Sequence, residues 1–140
     1  MSRYRTQITE VINRNALVTL ALENGYNAFL PVYDGGVDFI LYREEDGDVR
    51  KVQLKGHWNI DRKCIGRDIW IAFSAAGAWY LAPHDDLVKM GEAAGFTLTS
   101  SWIEGGAYSC PRPSRQMTEA LQRYRFGVVS VQAEASLADA

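Results

Sequence analysis

The first patterned stretch runs from Thr6 to Asn24, where Ile8, Val11, Ile12, Leu17, Leu20 and Ala21 recur mostly at three- and four-residue steps. That spacing predicts an amphipathic helix. Gly25 follows as a stop signal, and the polar Asn13-Arg14-Asn15 leaves either one long helix or two shorter ones. Asn27 to Val32 reads as a short strand whose Pro31 suits an edge or a bulge, and Tyr33-Asp34-Gly35-Gly36 reads as a turn. The pattern then alternates in twos. Val37, Phe39 and Leu41 share one face of a strand from Val37 to Arg43, and Val52 and Leu54 share one face of a strand from Val49 to Lys55. Between them, Asp46-Gly47 is the residue pair of a tight type I′ hairpin turn.

Further on, Asp68 to Ser74 and Ala78 to Ala82 are rich in Ile, Trp, Phe and Tyr and predict a second hairpin around Ala75-Ala76-Gly77. Pro83-His84-Asp85-Asp86 resembles a helix start with Asp as cap, leading into Leu87 to Ala94 and ending at Gly95. Phe96 to Trp102 fits a strand or a loop, and Glu104 to Pro113, with its glycines and prolines, reads as irregular. Ser114 opens a helix through Met117, Leu121 and Tyr124, and a small polar tail, 132–140, is expected to fray after a single domain spanning 1–131. The expected class is α/β, a central mixed sheet of four to five strands flanked by helices.

Composition narrows this only a little. With 140 residues, 47% hydrophobic and 23% charged, the chain is an ordinary globular domain able to bury a core without staples. Cys64 and Cys110 form no CxxC pair and lie near no histidine at zinc-ligand spacing. The first residues lack an apolar secretion signal, and no run has the length of a membrane span, so a cytoplasmic location with reduced thiols and no membrane partner is expected.

A net charge of −2 announces no nucleic-acid partner, but the basic residues cluster. Arg50, Lys51, Lys55, Arg62 and Lys63 stand against the single Asp61, followed by Arg67; Arg112, Arg115, Arg123 and Arg125 make a second group. Such patches suit phosphate contacts or simply a solvated surface.

Closing the first hairpin on Asp46 and Gly47 as its two loop residues sets Asp38 opposite Lys55, Phe39 opposite Leu54 and Leu41 opposite Val52. The apolar face then packs on the helix, and Asp38, Gln53 and Lys55 share the other face. Opposed Cβ atoms lie about 4.5–5.5 Å apart and diagonal ones about 7–8 Å, so the three groups can converge. A one-residue slip would turn Asp38 into the apolar face, against the pattern. An acid, an amide and an ammonium together suit phosphodiester hydrolysis. The Asp38 carboxylate, the Gln53 side-chain carbonyl and the Leu54 backbone carbonyl are hard oxygen donors for Mg2+, and Lys55 can stabilise developing negative charge. The plainer reading is a surface Asp38–Lys55 pair worth about 0–1 kcal/mol.

The order helix, strand, Gly35-Gly36-Val37-Asp38, then Val52-Gln53-Leu54-Lys55 resembles the PD-(D/E)xK, or restriction-endonuclease-like, superfamily, in its small endonuclease-like branch with Gln-x-Lys in the second motif. Gly25-Tyr26, Leu30-Pro31 and Trp79-Tyr80-Leu81-Ala82-Pro83 fit the same pattern, and the resemblance covers roughly residues 6 to 90. It implies a metal-dependent endonuclease acting on DNA, branched or nicked DNA included, with Mg2+ or Mn2+ and as a homodimer. Asp38 would be the metal-binding acid, Gln53 the second metal-site residue and Lys55 the catalytic lysine. Glu10 is the best-placed helix acid, with Arg14 as the other candidate for that position. Arg62, Lys63, Arg67 and His57 are the expected phosphate contacts. Gln53 in place of an acid removes one charge and should weaken Mg2+ binding, so a catalytically inactive nucleic-acid-binding or assembly module of the same fold is the alternative.

Other chemistry is weaker. His84 fits a helix start, Ser100, Ser101 and Ser109 lack a nucleophile elbow, Cys64 and Cys110 read as inert thiols, and Trp58, Trp70, Trp79 and Trp102 read as core before base-stacking platforms.

Overall fold

The computed structural model describes residues 3–128. The tail expected over 132–140 lies outside the described residues. Helix α1, Arg3–Glu23, is continuous through Asn13-Arg14-Asn15. It ends in a Schellman turn: Gly25, at φ 84°, donates its N–H to Leu22, and Tyr26 donates to Ala21 at 2.8 Å.

Strands β1 (Asn27–Phe29), β2 (Phe39–Arg43), β3 (Asp48–Leu54), β5 (Ile69–Ala75), β6 (Ala78–Pro83) and β8 (Arg125–Val128) form one mixed sheet in the order β1-β2-β3-β5-β6-β8. Strands β4 (Trp58–Asp61) and β7 (Ala107–Cys110) make a separate pair. Helices α2 (His84–Ala93), α3 (Ser100–Ile103) and α4 (Arg115–Leu121) complete the fold. The α/β expectation holds, with six strands in the main sheet among the described residues where four to five were expected.

Several local expectations change. The first hairpin closes through the four residues Glu44 to Gly47, with Arg43 paired to Asp48; Gly47 takes φ 72° and donates to the Arg43 carbonyl at 2.8 Å. The register therefore sits two residues from the tight-turn expectation: Phe39 pairs with Val52 and Leu41 with Arg50. A shift of two keeps every side chain on its expected face, because strand faces alternate with period two. The second hairpin does have a two-residue loop, Ala76-Gly77, with φ 51° and 77°.

Region 96–113 holds a 3₁₀ turn, α3 and β7, where a strand or an irregular loop was expected. Helix α2 begins after Pro83 with no side-chain cap bond, Asp85 and Asp86 lying in its first turn and not capping it. Ser114 caps α4 as expected, its Oγ accepting from the Met117 N–H. The segment beyond Tyr124 becomes β8, which the sequence pattern did not disclose.

Two apolar layers sandwich the sheet. Leu17, Ala21, Tyr26, Phe39, Leu41, Val52, Ala72, Trp79 and Leu81 pack beneath α1. Trp58, Ile60, Cys64, Ile71, Phe73, Tyr80, Leu87 and Leu121 belong to the layer beneath α2, α4 and β4. Fully burying one such side chain contributes about 1.5–3 kcal/mol. Trp58, Trp79 and Trp102 are core, and Trp70 lies under the Arg50 guanidinium at 4.0 Å, so none of the four is a free stacking surface.

Candidate active site

Two strands of unequal length create the site. In β3 the even-numbered N–H groups face β2 and the odd ones face β5, as the Lys55 N–H donating to the Ala72 carbonyl at 2.9 Å confirms. Strand β2 begins only at Phe39, paired with Val52, so the Leu54 N–H has lost its next backbone partner. The Asp38 carboxylate takes that place, accepting from Leu54 at 2.7 Å. Because N–H and C=O of one strand residue face the same neighbour, the Leu54 carbonyl is directed to this side as well.

The paired register ends with Phe39 opposite Val52, and the Asp38 N–H also donates to the Val52 carbonyl at 2.8 Å, so Asp38 sits at a break in the ladder and not opposite Lys55 as first expected. The Gln53 amide is held at both ends: Nε2 donates to the Gly36 carbonyl at 3.2 Å, and Oε1 accepts from the Cys64 thiol at 3.8 Å. Gly36 sits at φ 97°, a conformation that favours glycine. A Cβ placed there would lie 3.8 Å from Gln53 Nε2 and 4.0 Å from Arg67 Nη1, which locates the Arg67 guanidinium at the same opening.

Asp34 is the member that sequence reasoning passed over as a turn residue. Its carboxylate accepts the Gly36 N–H at 2.9 Å and also meets the Asp38 carboxyl. Burial pushes the Asp38 pKa up; the Leu54 N–H opposes this, Asp34 adds to it, and Lys55 is close enough to pull it down. The usable signal was Asp34 and Asp38 flanking Gly35-Gly36, since two glycines let the chain fold its carboxylates together.

The segment from Lys55 to Asp68 leaves this end of β3 and crosses to the parallel strand β5. It is pinned at several points. Asp61 caps a 3₁₀ turn through the Lys63 N–H at 2.9 Å and donates its own N–H to His84 Nε2 at 2.9 Å. Gly66 donates to Asp85, and Lys51 Nζ donates to the Arg67 carbonyl at 2.8 Å. His84 is thus a buried latch, its pKa lowered by burial.

The expected phosphate contacts separate. Arg67, Lys63 and His57 are exposed on the crossover. Arg62 is committed elsewhere, its guanidinium donating to the Trp102 and Ile103 carbonyls at the end of α3 and lying over the Trp102 ring. Glu10 lies on the helix face of Leu17, seven residues away, but is exposed. Among the described residues no group of three or more His, Cys, Asp or Glu is placed to hold a metal. Glu10 therefore does not form such a group with Asp34 and Asp38.

No protein family matches the sequence, and no curated protein does either. A solved structure does match: that of a bacterial homing endonuclease, I-Ssp6803I, at TM-score 0.52 and 19% identity, over 86% of this chain and 86% of that one. The likeness is one of fold.

Proposed function

We propose that the chain is a metal-dependent endonuclease that hydrolyses DNA phosphodiester bonds, with Asp38, Gln53 and Lys55 as its working residues. One observation carries the reading: where β2 stops short of β3 the Asp38 carboxylate takes the Leu54 N–H, with Lys55 close enough to act on its charge and the Gln53 amide anchored to Gly36 two residues before it, on a fold shared with a homing endonuclease.

The donors fit a divalent cation. Asp38, Asp34, the Gln53 Oε1 and the Leu54 carbonyl are all hard oxygens, and Mg2+ is commonly held by one or two carboxylates while it keeps several waters. Mn2+ has the same preference. When bound, such an ion lowers the pKa of water and neutralises phosphate charge. Glu10, exposed on α1, stays outside this donor set.

The chain's own residues supply the rest. Lys55 presents an ammonium beside Asp38, where it stabilises charge developing on phosphate oxygens. Gly36 and Cys64 keep the Gln53 carbonyl from exchanging places with its amino group. Arg67, Lys63 and His57 steer and hold the DNA backbone. Two copies in a homodimer give one such centre for each strand.

The test is cleavage of single-stranded, nicked and branched DNA with Mg2+ or Mn2+, beside Lys55→Ala. Cutting that vanishes in Lys55→Ala and in chelator supports the proposal. Intact DNA under all these conditions overturns it in favour of a silent binding module. That module binds DNA in a salt-dependent, metal-independent way.

A further inference from the structure

Helix α1 has two apolar faces, and the sheet covers only one of them. Leu17 and Ala21 are buried in the core, and no residue of the helix before Leu17 is buried. On the other side Tyr4, Ile8, Val11, Asn15, Val18 and Leu22 follow one another at alternating four- and three-residue steps. Tyr4 is 77% exposed, Ile8 59%, Val11 44% and Leu22 59%, while Val18 also packs against the core's edge. A stripe repeating every three and four residues is the seam of a coiled coil.

The seam also carries a receptacle. Tyr4, Gln7, Ile8 and Val11, with Ile12, line a shallow cavity of about 260 Å³. Residues at i, i+3, i+4 and i+7 are the four that make the hole receiving one side chain of a facing helix.

We propose that α1 pairs with α1 of a second copy of this chain, parallel and in register, the Ile8 of each copy seated in the Tyr4–Gln7–Ile8–Val11 hole of the other. Asn15 selects this occupant. In-register pairing sets the two Asn15 amides against each other, where each can donate and accept, and a seam asparagine is a known specifier of register and partner number. An antiparallel pair centred on the helix would set Asn15 against Val11 and leave it without a polar partner. In the parallel pair the flanking Gln7 meets Ile12 and Arg14 meets Thr19, so neither flanking pair sets like charges against each other. With 21 residues the helix is about 31 Å long, a modest interface, so the dimer dissociates on dilution.

This names the surface of the homodimer proposed above but rests on the α1 seam, so sedimentation tests it whether or not DNA is cut. Over roughly a hundredfold range of concentration the parent should pass from monomer to dimer. Ile8→Glu with Val11→Glu should stay monomeric throughout with an unchanged far-ultraviolet spectrum, because both side chains are exposed in the single copy. Asn15→Cys should cross-link to a covalent dimer under oxidation where the parent does not. A parent that stays monomeric at every concentration, a charged variant that still dimerises, or an Asn15→Cys chain that fails to cross-link would overturn the proposal. A dimer without cleavage would leave it standing and remove only the nuclease reading.

Discussion

Asp38 serves both the backbone and the proposed chemistry, and two substitutions separate the roles. Asp38→Ala leaves the half-buried Leu54 N–H without its acceptor at 2.7 Å. Losing one partner of such a bond costs about 1–3 kcal/mol. With a urea slope of ~1.5 kcal/mol/M, the midpoint should fall by roughly 0.7 to 2 M. Asp38→Asn keeps a carbonyl oxygen for Leu54 and can donate to Asp34, and it carries no charge. The folded carboxyl is raised above its ordinary 3.8, so ionisation favours the unfolded chain, and stability is lost as pH rises from 3.8 through the folded value. Asp38→Asn escapes that loss. In chelator at neutral pH it should therefore be at least as stable as the parent, an advantage that disappears below pH 3.8. Mg2+ should raise the midpoint of the parent and of neither variant, and both variants should fail to cut DNA. Equal destabilisation by Asn and Ala, measured by urea titration with and without chelator, would refute the reasoning, since it would mean that the Leu54 bond does not govern the site's stability.

Other outcomes follow from the same packing. His84 has a folded pKa below 6.5 because it is buried, so its contribution is present above pH 6.5 and is lost as pH falls through the folded value; thermal unfolding in a pH series should show that drop, and His84→Gln should lack it. Gly91→Ala gains about 0.5–1 kcal/mol of helix preference, but the new Cβ would lie 3.0 Å from Ile60 and 3.1 Å from Trp58, both fully buried. Overpacking costs about 1–3 kcal/mol, so urea unfolding should find the variant less stable. Arg67→Ala should weaken DNA binding and reduce the salt slope by about one. Arg62→Ala should leave that slope nearly unchanged and lower stability instead, because its guanidinium serves the carbonyls of α3.

The legible parts of the fold were those with strong local patterns. Helix α1, the cap at Ser114 and the faces of β2 and β3 follow from short-range periodicity, and they agree with the structure. What escaped reading depends on distant partners. Strand β4 pairs with β7 about fifty residues further on, Asp61 opposite Ala107; Trp58-Asn59-Ile60-Asp61 does alternate, but over only four residues, and Ala107-Tyr108-Ser109-Cys110 does not. Strand β8 exists because β6 offers Trp79 and Tyr80 as pairing partners to Gly127 and Arg125. The hairpin register slipped for a similar reason. Arg43 binds the Asp46 carboxylate, and the Arg43 carbonyl takes the Gly47 N–H, which favours the longer loop over the tight turn suggested by Asp-Gly. Asp34 was read as a turn residue and not as a neighbour of Asp38, a contact made by the bend at Gly36 and signalled only by the two glycines between the acids.

The position of the candidate site follows from the one parallel pairing among the described strands of the sheet. Strand β3 pairs antiparallel with β2 and parallel with β5. Neighbouring antiparallel strands can be joined by a tight turn, whereas a parallel neighbour demands a crossover that leaves from the far end of the strand. That exit is Lys55, at the same end where β2 falls short and Leu54 turns to the Asp38 carboxylate. The crossover consequently carries His57, Lys63 and Arg67 away from the carboxylates and then returns Arg67 to the opening beside Gly36. Acidic and basic groups meet there because one topological step both frees strand backbone and launches the basic segment. Shortening the crossover would disturb both at once.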